Sequence, residues 1–152
     1  MLKEGDPAPP FTLESDEGKK VSLKDFAGKK IVLYFYPKDD TPGCTKEACS
    51  FSENFGTLQK KGAVVLGVSA DSVDSHKKFK QKYGLRFPLL SDPDREVIKK
   101  YGVWKEKNMY GKKMMGIERS TFVIDEKGKI AHIFPKVRVD GHTEAVLQKL
   151  DI

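Results

Sequence analysis

Cysteine is scarce in this chain: Cys44 and Cys49 are the two among 152 residues. Two thiols are too few for the disulfide framework of a small secreted domain, and by themselves too few for a structural zinc site. Histidine is nearly as sparse, and His76, His132 and His142 are scattered without metal-ligand spacing, so no metal is expected. No apolar stretch approaches the roughly 20 residues that cross a bilayer, the longest being Ile31 to Tyr36. The opening Met1-Leu2-Lys3-Glu4-Gly5-Asp6 carries no apolar core behind its charge, so no secretory signal is expected. Repeats, low-complexity tracts and linkers rich in Pro, Gly and Ser are missing too. One domain over residues 1–152, cytoplasmic and without membrane contact, is the expectation.

What is abundant is charge. The net charge of +6 raises the question of nucleic acid. Basic residues sit among acids almost everywhere, as in Lys38-Asp39-Asp40, and no basic arm or interleaving of aromatics with arginine appears. The charge therefore reads as a solvating surface, with no nucleic-acid partner. A hydrophobic fraction of 38% suits a globular domain.

Two apolar runs of strand-forming residues, Ile31 to Tyr36 and Ala63 to Val68, suit a covered parallel sheet. Between them a helical pattern runs from about Cys44 to Lys60, giving a strand–helix–strand unit. Phe11 to Leu23 alternates around Ser15 to Gly18 and predicts a small hairpin. Val73 to Tyr83 predicts a second helix, and a third is expected from Asp92-Pro93 to a stop before Gly102. Strands at Thr121 to Ile124 and Ile130 to Phe134 flank a turn, and Thr143 to Leu150 predicts a closing helix. The class is α/β with a mixed sheet.

The chemistry points to Tyr36-Pro37-Lys38-Asp39-Asp40-Thr41-Pro42-Gly43-Cys44-Thr45-Lys46-Glu47-Ala48-Cys49. A buried strand ends, a tight polar loop follows, and Cys44 lies where a helix opens. There the first N–H groups lack intrahelical partners and carry the positive end of the dipole, which stabilises a thiolate. At ~100° per residue, Ala48, Phe51, Phe55 and Leu58 fall on the face of Cys44, so its thiol should point inward, to the floor of a pocket. Cys49 lies about 140° around the same helix, with its Cα roughly 8–9 Å away. A disulfide rarely spans more than about 7 Å between Cα atoms. Bonding of the pair therefore requires the first turns of the helix to unwind. Two inert buried cysteines are the plain alternative.

Pro37-x3-Thr41-x2-Cys44 resembles the active-site signature of the peroxiredoxins, and Cys49 five residues on resembles the PrxQ, or bacterioferritin comigratory protein, branch. Phe11-Thr12-Leu13, Leu90-Ser91-Asp92 and Gly116 to Asp125, with Arg119 inside it, extend the similarity along the chain. The resemblance implies a thioredoxin-like fold, a central mixed sheet flanked by helices with an N-terminal hairpin extension. It implies a thiol peroxidase without a cofactor, acting on hydrogen peroxide and organic hydroperoxides as a monomer. Cys44 would be the attacking thiolate, and Cys49 would resolve its sulfenic acid as a disulfide that a thioredoxin-type protein reduces. Thr41 would orient the peroxide and the thiolate, Pro37 would cover the pocket, and Arg119 would hold the thiolate and the leaving oxygen. Glu47 resembles a recurrent family position: either a supporting hydrogen-bond role or a solvated helix charge.

Alternative readings are a protein dithiol–disulfide oxidoreductase, which would ask for Cys-x-x-Cys, and a non-catalytic redox sensor or binding module. A copper chaperone would find a poor chelate in two thiols on different helix faces. Trp104, Met109, Tyr110, Met114 and Met115 cluster in a loop-like stretch that is either a wall of the pocket or ordinary packing. His76, on a lysine-rich helix, is expected in solvent. His132 is expected to face outward from its strand, and neither has a visible carboxylate partner.

Overall fold

Runs rich in Val, Ile, Leu and Tyr form the centre of the molecule because branched and aromatic side chains fill a pleated, covered surface. The computed structural model describes residues 1–151, without the side chain of Met109. Nine strands and five α-helices follow in the order β1 (Thr12–Ser15), β2 (Lys20–Ser22), β3 (Lys30–Phe35), α1 (Pro42–Glu53), α2 (Phe55–Lys60), β4 (Ala63–Ser69), α3 (Val73–Tyr83), β5 (Leu89–Ser91), α4 (Glu96–Lys100), β6 (Trp104–Met109), β7 (Lys112–Ile117), β8 (Ser120–Ile124), β9 (Ile130–Phe134) and α5 (His142–Leu150). Seven strands make one mixed sheet in the order β2-β1-β5-β4-β3-β8-β9, with β3, β4 and β5 parallel. The N-terminal hairpin extends this sheet at one edge, where Ser15 pairs with Leu90 and Glu14 with Ser91.

Strand β3 is buried on both faces, and its alternation divides the core. Ile31, Leu33 and Phe35 pack with Val97, Ile98 and Tyr101 on one face. Val32, Tyr34 and Tyr36 pack on the other with Cys44, Ala48, Phe51, Leu58, Phe79 and Val146, contributed by α1, α2, α3 and α5. The thiol region thus lies under four helices, on the face that Tyr34 and Tyr36 share.

Three elements depart from expectation. The helix expected from Cys44 to Lys60 begins two residues earlier and breaks at Asn54, whose side-chain amide donates to the Ser50 carbonyl (2.8 Å) and so competes with the helical ladder. The third helix starts at Glu96, not at Asp92-Pro93. Arg95 is left-handed (φ 61°), and its guanidinium stacks over Trp104 at 4.9 Å. Asp92 still caps this helix from a distance, accepting from the Ile98 N–H (2.8 Å). The stretch read as a loop around Trp104 to Met115 is a regular antiparallel hairpin, β6–β7, turned by Tyr110-Gly111. Tyr110, Met114 and Met115 are exposed on it, while the side chain of Met109 lies outside the described residues. Among the described residues no helix is long and apolar enough to cross a membrane.

Candidate active site

The loop between β3 and α1 delivers the thiol. Thr41 is the N-cap of α1 and Pro42 its first residue, where a missing N–H costs nothing. The first helical bond runs from Thr45 N–H to the Thr41 carbonyl (2.8 Å), so Cys44 lies in the first turn, among unpaired amides. Its side chain is inward and 2% exposed, and Ala48 and Phe51 behind it are fully buried. Cys49, on the same helix, is half-buried, and both thiols are free. Burial first, and the Glu53 carboxylate second, push the Cys49 thiol above its ordinary range.

Arg119 sits in the short connection between β7 and β8 and reaches α1 from the side. Its Nη2 donates to Cys44 Sγ (3.3 Å) and its Nη1 to Glu47 Oε1 (2.8 Å). Burial works against the guanidinium charge, but Glu47 and then Cys44 outweigh it, so Arg119 is held more firmly protonated than usual. Gly43 makes the approach possible, for a Cβ there would stand 3.1 Å from Arg119 Nη2. Glu47 is not a solvated helix charge: it is 1% exposed, and burial pushes its carboxyl up to about 7 against the opposing pull of Arg119.

Two buried oxygens have no hydrogen-bond partner among the described residues, Glu47 Oε2 and Tyr34 Oη. Tyr34 is held well above the usual phenol range, by burial first and then by the charges of Glu47 and Cys44. Its phenol is seated against Gly67, where any Cβ would come within 2.9 Å of it. Lys107, on the hairpin, lies across Gly116, a Cβ there being 3.1 Å from its Cδ. Burial lowers the Lys107 ammonium, as does Arg119, while Cys44 raises it. Sequence reasoning singled out neither Tyr34 nor Lys107. The signal for Tyr34 was its parity with Tyr36 on β3; for Lys107 there was none, because lysine is common throughout.

Cys44, Glu47 and Arg119 are thus brought into contact. Thr41 Oγ1 donates to the Lys38 carbonyl (2.8 Å) rather than to the sulfur, which leaves its lone pairs to accept from an O–H. Pro37 is half-buried at the start of the loop. His76, expected in solvent, is fully buried: Nδ1 meets Asp39 Oδ2 at 2.7 Å, and Nε2 donates to the Leu90 carbonyl at 2.9 Å. His76, Phe79 and Tyr83 recur at i, i+3 and i+7, the inward stripe of α3, and the lysines around them obscured it. His132 is partly exposed but does have a carboxylate, Glu4 Oε1 at 2.9 Å, too distant in sequence to be foreseen. His142 is buried against Thr121 Oγ1 (2.8 Å), and burial with Arg119 nearby lowers it to about 4.

Comparison with known proteins agrees with this geometry. The family described as AhpC/TSA matches residues 4–133. A putative peroxiredoxin bcp of Coxiella burnetii is 58% identical over 149 residues, 98% of this chain and 99% of that protein. A crystal structure of a cysteine-to-serine mutant of Xylella fastidiosa PrxQ superposes with a TM-score of 0.94 at 41% identity, covering 99% of this chain and 96% of the other. Bacterioferritin comigratory protein of Xanthomonas campestris, whose alkyl peroxide reduction was studied through trapped intermediate and ligand complexes, has a TM-score of 0.89 at 46% identity. That match covers 93% of this chain and 90% of the other.

Proposed function

Since the chain belongs to the AhpC/TSA family, among its peroxiredoxin Q and Bcp members, and is a thiol-dependent peroxidase, we propose that Cys44 is the attacking thiol and Cys49 its resolving partner. One observation carries the assignment: the buried Cys44 sulfur sits in the first turn of a helix with an arginine N–H 3.3 Å away. Helix amides and a guanidinium both favour negative charge on sulfur, the nucleophilic form.

The Cys44 thiolate attacks one peroxide oxygen, forming an S–O bond as the O–O bond breaks. The electron pair leaves on the second oxygen, which takes up a proton and departs as water or alcohol. Arg119 stabilises that developing charge, Thr41 accepts from the peroxide O–H, and Pro37 limits water at the entrance. Glu47 is a positioning residue, holding Arg119 in line with the sulfur. Cys44 is left as a sulfenic acid. The Cys49 sulfur then bonds to the Cys44 sulfur and expels water, after the start of α1 opens. Opening also takes Cys49 out of its half-buried position and away from Glu53, easing formation of its thiolate. A thioredoxin-type dithiol protein reduces the disulfide by two exchanges and is itself oxidised.

The substrates are hydrogen peroxide and organic hydroperoxides. A resolving pair within one helix needs no second chain, which supports a monomer, and dependence on a reduced protein donor fits a cytoplasmic setting. The test uses two variants. Cys44→Ser should consume no peroxide, and Cys49→Ser should react once and accumulate sulfenic acid, read by a sulfenic-specific probe with mass spectrometry. Sustained turnover by Cys44→Ser would end the assignment.

A further inference from the structure

The loop that delivers Thr41 and Cys44 is bound to α3 more tightly than a surface connection requires. Asp39 is 7% exposed, and its carboxylate collects three side chains: Tyr36 Oη donates to Oδ1 (2.5 Å), Ser75 Oγ donates to Oδ2 (2.8 Å), and His76 Nδ1 meets Oδ2 at 2.7 Å. Its backbone N–H donates to Asp71 Oδ2 (2.8 Å), which also accepts from Ser69 Oγ (2.7 Å). The other ring nitrogen of His76 is fixed on the Leu90 carbonyl of β5. Asp39, Asp71 and His76 lie within 4.8 Å of one another, near enough to share a cation, but the facing atoms are already engaged by these hydrogen bonds. The arrangement is a latch.

What the latch restrains is strained. Asp40, next in the chain, adopts φ 57°, a left-handed conformation unusual for a residue with a Cβ. Its carboxylate is drawn to α3 as well, by Lys82 Nζ (2.8 Å) and Tyr83 Oη (2.6 Å). Such a conformation persists where its surroundings over-determine it. Immediately after it comes Thr41, the N-cap that aims the first turn of α1. Beyond Thr41 the ties change direction: Glu47 is held by Arg119, Lys46 by Asp140 and Ser50 by Thr143.

We propose that the buried Asp39–His76 pair is a positioning device for the peroxidase reaction, holding the strained turn at Asp40 so that Thr41 and Cys44 meet the peroxide in register, and that it stays closed while α1 opens. His76 touches neither peroxide nor thiol and acts through Asp39. The inference rests on Cys44 and Cys49 acting as proposed above. Because the latch ends before the segment that unwinds, its loss slows the first chemical step and spares the second.

The two steps separate in rapid mixing of the reduced protein with hydrogen peroxide: Cys44 oxidation by its peroxide-dependent rate, disulfide closure by its peroxide-independent rate. His76→Asn should lower the first at least 10-fold and leave the second within about 3-fold of native. Tyr36→Phe, which removes one hydroxyl from Asp39 and opens no large cavity, should lower the first about 3-fold, and it stands as the test if His76→Asn does not fold. Val97→Ala, in the core on the far face of the sheet, controls for lost stability and should slow neither step. The proposal is overturned if both latch variants oxidise within 2-fold of native, if both steps slow together, or if Val97→Ala at a matched loss of Tm slows oxidation as much. A native protein without a peroxide-dependent phase would instead overturn the assignment of Cys44.

Discussion

At the scale of single residues, Arg119 and Glu47 decide how the sulfur behaves. The guanidinium spans both, 3.3 Å from Cys44 Sγ and 2.8 Å from Glu47 Oε1, in a part-buried site where screening by water is weakened. Deleting a preorganised donor of this kind costs roughly 10²–10³ in rate. Arg119→Met should therefore slow Cys44 oxidation by about that factor, measured as the second-order rate with hydrogen peroxide. Arg119→Lys should recover only part of it, since an ammonium lacks the fork that serves two acceptors at once. Glu47 leads to a pH prediction. Burial raises its carboxyl from an ordinary 4.5 to about 7, so the folded protein holds this proton more tightly than the unfolded chain does. The resulting contribution to stability is complete below about 4.5 and disappears as pH rises through 7, a span worth about 3 kcal/mol. His142, lowered from 6.5 to about 4, works the other way across an overlapping range, because its proton binds better to the unfolded chain. The difference between native and Glu47→Gln proteins isolates the first effect. Measured by urea unfolding from pH 4.5 to 8, Glu47→Gln should gain on the native protein as pH rises, and a pH-independent difference would refute the shift.

Among elements, α1 is the one that must both exist and come apart. Its existence places Cys44 under the dipole; its geometry keeps Cys49 about 140° away on another face. Amide exchange over Cys44 to Phe51 should accordingly be faster in the disulfide form than in the reduced form. The residues of α3 should hold their protection in both states, and equal protection of α1 in both would count against the opening. The sequence made α1, α3, β3 and β4 legible because each carries a strong period or a continuous apolar run. The β6–β7 hairpin was not legible. Its strands, Trp-Lys-Glu-Lys-Asn-Met and Lys-Lys-Met-Met-Gly-Ile, carry so much lysine that little alternation is visible, and among the described residues they pair with each other alone. The start of α4 was misplaced for a different reason: Asp92-Pro93 has the chemistry of a helix start, but the left-handed Arg95 delays the first turn.

For the whole molecule, the sheet order brings together what the sequence keeps apart. Arg119 is 75 residues from Cys44, and they meet because β8 lies antiparallel against β3, so that the chain entering β8 passes the end of β3 where α1 begins. Sequence reasoning found both residues through the family signature, yet the His76 latch stayed hidden. The partners of His76, Asp39 and Leu90, come from two other segments, and a lysine-rich helix gives no outward sign of a buried histidine. The catalytic cycle as a whole rests on a bond between two sulfurs that the folded helix holds apart. Its most direct measurement is peptide mass spectrometry, without reductant, of protein treated with one equivalent of hydrogen peroxide. A Cys44–Cys49 linkage within one chain, with both free thiols lost together, is the predicted result. Cys44 oxidised while Cys49 remains a free thiol, or a disulfide joining two chains, would contradict it.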